Sequence, residues 1–460
     1  MTRARAVLFV ALALVVGACA APRRPNLIVV LADDLGFGDL SCYGQRRFTT
    51  PQLDRLAREG LRFTTAYAGS TVCAPSRATL LTGRHTGHVW QRANGPIAFR
   101  EDPDDRCIAA TLRDAGYRTA LIGKSGLSCA STDGALPNRK GFDHFFGFVD
   151  HVAAHRYYPS ALWRDGVELH YDDNHGDHGA EHASELFLAD ALDWIDANRD
   201  APFFLLLSLQ QPHADLVAPA PWRARFAGRF DEVPQHDEFA RFYRHEPQPR
   251  ATFAAMVAHL DDQVGRLAAR LHALGIDDDT LLVFTSDNGP HAEGGHDPAF
   301  FASSGGLRGK KRDLYEGGLR VPLIAHWPGV IAPGRTSDHV LAFWDLAPTF
   351  CELAGAPSPA DTDGISFVPE LRGEGEQRTH ESLYWEFWEQ GGKQAVRLGD
   401  WKGVRLGAIA DPDGPIALFD LARDPGETED VAARHPELVA RIAAVMAREH
   451  VPTERYAFSR

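Results

Sequence analysis

Two kinds of residue in this chain are spaced for chemistry. The first is a cysteine in the stretch Thr71-Val72-Cys73-Ala74-Pro75-Ser76-Arg77-Ala78-Thr79-Leu80-Leu81-Thr82-Gly83. Pro75 suits the first turn of a helix and an apolar run follows, so Cys73 falls at a helix N-terminus, where backbone N–H groups and the macrodipole favour an anion. A small core-filling cysteine is the plain alternative. The second is a set of polar groups that close apolar runs. Asp33 and Asp34 follow Asn26 to Ala32, Lys124 follows Thr119 to Gly123, Gln211-Pro212-His213 follows Phe203 to Leu209, and Asp287-Asn288 follows Thr280 to Ser286. One such pairing is a cap or a turn; four together point to one convergent site. Asp33, Asp34, Asp287 and Asn288 offer only oxygen, which suits a hard cation such as calcium or magnesium and not zinc.

The runs that deliver these groups are short and apolar on both faces, as central strands of a parallel sheet are, and ligands of such sheets sit beyond the strands' carboxyl ends. Helical stripes separate them. Ser184 is placed to cap a helix carrying Leu188, Ala191, Leu192 and Ile195 on one face, and Phe253, Met256, Leu260, Val264, Leu267 and Leu271 mark a longer one. The expected fold is α/β: a large mixed, mostly parallel sheet sandwiched by helices. Ala214 to Pro249 reads as a long irregular excursion of the kind that rims active sites. The His- and Asp-rich stretch from Leu169 to His182 matches no standard zinc spacing and reads as an exposed polar loop. Pro, Asp and Gly gather between Pro357 and Glu376, marking a boundary. Beyond it, the runs beginning at Leu383, Gln394, Trp401 and Ala417 suggest a small antiparallel sheet, closed by a helix over about His435 to His450. The chain therefore divides into a catalytic domain over 24–360 and a C-terminal subdomain over 377–460.

Composition narrows the possibilities. With 44% hydrophobic and 24% charged residues in 460, the chain is neither disordered nor multi-spanning. Arg3 and Arg5, the short apolar run Ala6 to Val16 and the small residues Gly17-Ala18-Cys19 have the shape of a secretory leader. Val16-Gly17-Ala18-Cys19 resembles a bacterial lipobox, which implies a leader over 1–18, a lipid on Cys19 and a periplasmic or cell-surface location. Plain secretion, with cleavage near Ala20 or Ala21, is the alternative. The formal charge is −14, which excludes binding to nucleic acid or anionic membranes through the general field and leaves the lipid as the membrane contact. An anionic substrate must meet a local group of cations. Cys42, Cys107, Cys129 and Cys351 allow several disulfide pairings, and spacing selects none.

The order Cys-x-Pro-x-Arg followed by Ala-Thr-Leu-Leu-Thr-Gly resembles the signature of the type I sulfatases, members of the alkaline phosphatase-like superfamily. The stretch from Leu307 to Pro322, with Lys311 five residues before Glu316, is similar to that family's second glycine-rich signature. Leu418-Phe419-Asp420-Leu421 and Asp424-Pro425-Gly426-Glu427 resemble its C-terminal subdomain. The resemblance implies that Cys73 is oxidised to formylglycine by a formylglycine-generating enzyme and that its aldehyde hydrate is the nucleophile. It also implies that a calcium ion sits on Asp33, Asp34, Asp287, Asn288 and residue 73, that Arg77 orients the hydrate, and that Lys124, His213 and Lys311 bind sulfate. The expected activity is hydrolysis of a sulfate monoester, of a sulfated carbohydrate or an aryl alcohol.

One departure stands out. Where the family often has Gly-Lys-Trp-His-Leu-Gly, this chain reads Gly123-Lys124-Ser125-Gly126-Leu127-Ser128, so the histidine that assists the last proton removal is absent. His155, in the next loop, is a candidate to supply it, against the alternative of an ordinary loop histidine. The absence also leaves open a sulfatase-like protein that binds sulfated glycan without cleaving it. Phosphoester or phosphonate hydrolysis on the same scaffold is a further alternative.

Overall fold

The computed structural model describes residues 24–95, 97–100, 103–127, 136–233 and 242–458. The leader with Cys19, and Cys129, lie outside these residues. Among the described residues, fifteen strands form two sheets. In chain order they are β1 (Asn26–Ala32), β2 (Leu61–Tyr67), β3 (Arg118–Lys124), β4 (His144–Phe148), β5 (Ala161–Arg164), β6 (Val167–His170), β7 (Phe203–Ser208), β8 (Thr280–Ser286), β9 (Arg320–His326), β10 (Arg335–Ser337) and β11 (Leu341–Ala342). The second sheet follows with β12 (Leu383–Phe387), β13 (Lys393–Leu398), β14 (Trp401–Leu406) and β15 (Ile416–Asp420).

The large sheet runs β10-β2-β9-β8-β1-β7-β3-β4-β5-β6, with β11 beside β2. Its centre, β8-β1-β7-β3-β4, is parallel, and antiparallel pairs flank it on both sides. The four apolar runs singled out by sequence are thus four adjacent strands. Alternation explains why each is apolar throughout: in β1, Ile28, Val30 and Ala32 enter one core while Leu27, Val29 and Leu31 enter the other. The helix Pro249–Leu274 buries Phe253, Met256, Leu260, Val264, Leu267 and Leu271 in the first core, joined there by Ala183–Asn198. The helices Cys73–Thr82, Ile108–Asp114 and Leu346–Ala354 cover the second. Parallel strands converge on one edge, so the groups after β8, β1, β7 and β3 meet there.

The small sheet, β12-β13-β14-β15, is antiparallel and buried on both faces. Leu383, Trp385 and Phe387 turn toward the large domain, packing with Tyr67, Leu314 and Trp344. Tyr384, Val396 and Leu418 turn the other way, onto Ile442 and Met446 of the helix Pro436–Glu449.

Two local expectations change. Ser184 lies inside its helix and makes no cap; His182 precedes the helix, and the Ser184 hydroxyl bonds the His182 ring at 2.8 Å instead. The excursion after Ala214 contains a short helix, Ala220–Phe226, started by Pro221 and held by Trp222 stacking on His259 at 5.3 Å. Seven residues are too few for periodicity to reveal it. Cys42 and Cys351 are free thiols and Cys107 is buried.

Candidate active site

Cys73 opens its helix, and its Sγ–H donates to Asp33 Oδ1 at 3.3 Å. Asp33, Asp34, Cys73, Asp287 and Asn288 are all fully buried. One turn along the helix, Arg77 reaches across the strand ends. Its Nε and Nη2 donate to Asp287 Oδ2 at 3.0 and 2.8 Å, and Nη2 also to Asp33 Oδ2 at 3.3 Å. Its Nη1 donates to the Lys124 carbonyl at 3.0 Å and to Ser208. Lys124 Nζ donates to Asp33 Oδ2 at 2.6 Å. On the other flank, Lys311 Nζ donates to Asp34 Oδ2 at 2.8 Å and to Glu293 Oε2 at 3.2 Å, and lies 3.1 Å from His213 Nε2. His213 Nδ1 bonds the Ala214 carbonyl, so that nitrogen carries the ring proton and Nε2 accepts from Lys311.

The structure thus brings Cys73, Arg77, Lys124, His213, Lys311, Asp33, Asp34, Asp287 and Asn288 to one place. His155 joins them by stacking on the His213 ring, centroids 4.5 Å apart. Close backbone approach builds this corner. Gly289 N–H donates to the Gly318 carbonyl at 3.1 Å, and a Cβ at 289 would lie 2.0 Å from the Gly317 oxygen, so glycine there lets the Lys311 loop meet the end of β8. Asp34 takes a left-handed conformation (φ 64°), and its N–H donates to Asp287 Oδ1 at 3.1 Å.

The electrostatics are uneven. Burial would raise the Asp33 carboxyl, but Lys124, Arg77 and Lys311 overcome it and hold the group well below the usual range. Burial and the Asp33 charge push Asp287 up to about 7, against the pull of Arg77. Burial and Asp33 also push the Cys73 thiol well up, so it is a thiol and not a thiolate. Burial opposes the charge on Lys311, yet Asp34 and Glu293 raise it well above its ordinary value.

The donor set fits a hard cation. Asn288 Nδ2 donates to Asp34 Oδ1 at 2.7 Å and to the Gly289 carbonyl at 2.9 Å, while its Oδ1 is buried without a hydrogen-bond partner among the described residues. That bare amide oxygen stands beside the carboxylates, and ligand-capable atoms of Asp33, Asp34, Cys73 and His213 lie within 4.8 Å of one another, so the site could hold a metal ion, its oxygens suiting a hard one. A second cluster, His85, His88 and Asp363, has ligand-capable atoms within 4.8 Å of one another. There, however, Gly87 N–H donates to His85 Nδ1 at 3.1 Å, which leaves Nε2 carrying the proton toward Glu449 at 3.2 Å and without a lone pair for a metal.

Several residues at the site escape the sequence argument. Ser208 and Glu293 fix Arg77 and Lys311. Asn94 Oδ1 accepts from Ala74 N–H at 3.1 Å, taking one of the free donors at the helix start. His151 lies buried three residues past β4. A signal existed for it: His144 to Phe148 is a fifth mostly apolar run, ending in Asp150-His151.

The family described as Sulfatase matches residues 25–356, and that described as N-sulphoglucosamine sulphohydrolase, C-terminal, matches 309–450. Human arylsulfatase A is 34% identical over 93% of this chain and 88% of its own length, and mouse steryl-sulfatase 33% over 94% and 82%. The solved structure of Ps i-CgsB in complex with k-i-k-neocarrahexaose superposes with a TM-score of 0.78 at 27% identity, over 93% of this chain and 92% of that one. Strand-end chemistry, fold and relatives agree: the chain belongs to the sulfatase family, on the alkaline phosphatase-like fold, and is a sulfuric ester hydrolase.

Proposed function

We propose that this enzyme cleaves sulfate monoesters of carbohydrates or aryl alcohols with the aldehyde hydrate of residue 73, after oxidation of Cys73 by a formylglycine-generating enzyme. The observation that carries the reading is the state of Cys73: its thiol is buried, protonated and aimed at a carboxylate, a poor setting for a sulfur nucleophile. A hydrate oxygen at that position would lie in the field of Lys124, Lys311 and Arg77, and the reaction would not require a thiolate among carboxylates.

A calcium ion on Asp33, Asp34, Asp287, Asn288 and residue 73 would supply positive charge to the sulfate and to the hydrate. The chain's own groups do the rest. Lys124, on one flank, and Lys311 with His213, on the other, offer cations and a ring to the sulfate oxygens. Arg77, fixed by Asp287, Ser208 and the Lys124 carbonyl, orients the hydrate, and Asp287 receives its proton on attack. Because His213 Nε2 is an acceptor for Lys311, the proton for the leaving alcohol comes from Lys311, directly or through that ring.

A sulfated carbohydrate substrate is supported by the names of the relatives, among them human N-acetylgalactosamine-6-sulfatase at 30% identity over 94% of this chain and 86% of its own length. Export and lipid anchoring rest on the leader and Cys19 alone. The decisive experiment is the mass of the peptide carrying residue 73 from a host that has the maturation enzyme, with turnover of matched aryl sulfate and aryl phosphate esters. An aldehyde with preference for sulfate supports the proposal; an unmodified thiol in an active enzyme rejects it.

A further inference from the structure

The reaction proposed above has one more proton to move. After the alcohol departs, sulfate is esterified to one oxygen on the carbonyl carbon of residue 73, and that carbon still bears a hydroxyl. Release requires the O–H bond to break, its electron pair to form the C=O bond, and the C–O bond to sulfate to break with the pair leaving on sulfate. The proton must go to a base. Arg77 is a cation, Lys124 holds its proton, Asp287 has taken one on attack, and the Lys311–His213 pair, which gave its proton to the alcohol, stands with Asp34 on the flank away from Lys124 and Asp33.

We propose that His151, delivered by the strand beside Lys124, accepts this proton. Strand β4 pairs with β3 so that Phe148 lies opposite Lys124, and Ser125 N–H donates to the Phe148 carbonyl at 3.2 Å. Three residues later comes His151, 7% exposed, with its Nδ1 buried and without a hydrogen-bond partner among the described residues. A buried, unpaired nitrogen opposes folding, so folding does not account for it. The turn that carries the ring is fixed: Asp150 Oδ1 accepts from Val152 and Ala153 N–H, both at 2.7 Å, and the His151 ring meets His155 edge-on at 5.9 Å.

Two further observations separate His151 from its neighbours. Its pKa is pushed well down by burial, then by Lys124 and His155, so the ring is neutral, and the strand register sets it on the flank of Lys124, whose Nζ reaches Asp33 at 2.6 Å. His155 shares burial, Lys124 and Asp33 as influences, but its ring stacks on His213, whose Nε2 lies 3.1 Å from Lys311, which sets it at the leaving-group end. Position 126 cannot hold the base. Gly126 has φ 70°, and a Cβ there would lie 2.3 Å from Arg77 Cδ, so with Arg77 in place the imidazole must come from another strand.

The inference rests on the formylglycine reading, and the test distinguishes the two. Wild type, His151→Ala and His151→Asn are prepared with residue 73 shown by mass to be the aldehyde, and folding is checked by melting temperature. Each is mixed with an aryl sulfate in a rapid-quench experiment. The expected result for either variant is a burst of about one equivalent of alcohol near the wild-type rate, then steady turnover slowed about 10²–10³-fold. The quenched residue-73 peptide carries sulfate, and added imidazole restores part of the turnover. His155→Ala should slow the burst and trap no sulfate. Normal turnover in both His151 variants, or a burst that falls together with turnover, overturns the role of His151 while leaving the sulfatase mechanism intact. A wild type that turns over as an unmodified thiol overturns both.

Discussion

Two clusters of buried charge sit on opposite sides of the segment Lys311–Glu316, and they are put to different uses. Around Glu316 the charges close on one another. Lys402 Nζ lies 2.9 Å from Glu316 Oε1 and 3.2 Å from Glu427 Oε1; Tyr67 donates to Glu316 Oε2 at 2.8 Å, and Glu316 N–H to Glu427 Oε2 at 2.6 Å. Lys402 belongs to β14 and Tyr67 to β2, so this cluster locks the small sheet onto the large one. Around residue 73 three carboxylates, Asp33, Asp34 and Asp287, face three cations, Arg77, Lys124 and Lys311, and among the described residues the Asn288 amide oxygen and His151 Nδ1 have no hydrogen-bond partner of any kind, whereas Glu427, raised to about 7 as Asp287 is, keeps Lys402 at 3.2 Å from its Oε1. A closed cluster is spent on folding, whereas an open one keeps its field for a ligand.

The sharpest way to break this comparison is to remove a group from each. Cys73→Ala should abolish sulfate-ester turnover by more than about 10³-fold, measured with an aryl sulfate. The melting temperature should move little, because a small apolar residue replaces a small thiol. Lys402→Met should do the reverse. It leaves Glu316 and Glu427 buried without their cation, costing about 3–5 kcal/mol in denaturant unfolding, while kcat of the folded enzyme stays near wild type. Adding Glu316→Gln and Glu427→Gln should recover much of that loss. A Lys402→Met protein of normal stability would show that the cluster does not hold the subdomain.

Glycines sharpen the contrast at a smaller scale. Gly126 (φ 70°) and Gly399 (φ 60°) share a left-handed backbone, but a Cβ at 126 meets Arg77 whereas one at 399 meets nothing within 4 Å. Gly399→Ala should therefore cost only conformational strain, about 1 kcal/mol, with kcat unchanged. Gly126→Ala must move Arg77 off Asp287 and should lower kcat about 10–100-fold. Equal kcat values in the two variants would remove Arg77 positioning from the mechanism.

How legible these regions were in the sequence follows from their physics. The strands β8, β1, β7 and β3 announce themselves because both faces are buried, and their terminal Asp, Asn, Lys and His stand where a parallel sheet presents ligands. The small sheet shows as alternation since its faces pack against different partners. What local pattern could not give is pairing at long range. That Glu427 would meet Lys402, that Asn94 would take an N–H beside Cys73, or that Glu293 would anchor Lys311 depends on register between distant segments. His151 was a nearer miss: β4 contains His144 and Gly147, which interrupt an apolar run that otherwise ends like the other four.

The smallest expected effect is also the most direct check on how the C-terminal helix is tied down. Glu449, at its last residue, accepts from His85 Nε2–H, and this bond, with help from Arg448 and against burial, lowers its pKa to about 2. In the unfolded chain the group titrates near its ordinary value of 4.5. The folded state therefore binds fewer protons than the unfolded state between those values, so the contribution is full above pH 4.5 and is lost as pH falls toward 2. The side chain is partly solvated, so the contribution stays under about 1 kcal/mol, or about 1–2 °C in melting temperature. Wild type should melt above Glu449→Gln at pH 6, and the gap should close between pH 5 and 2. A gap that persists unchanged to pH 2 would mean that the glutamate stabilises the helix end by packing. Its charge would then play no part, and the helix would be held by Ile442 and Met446 against the small sheet alone.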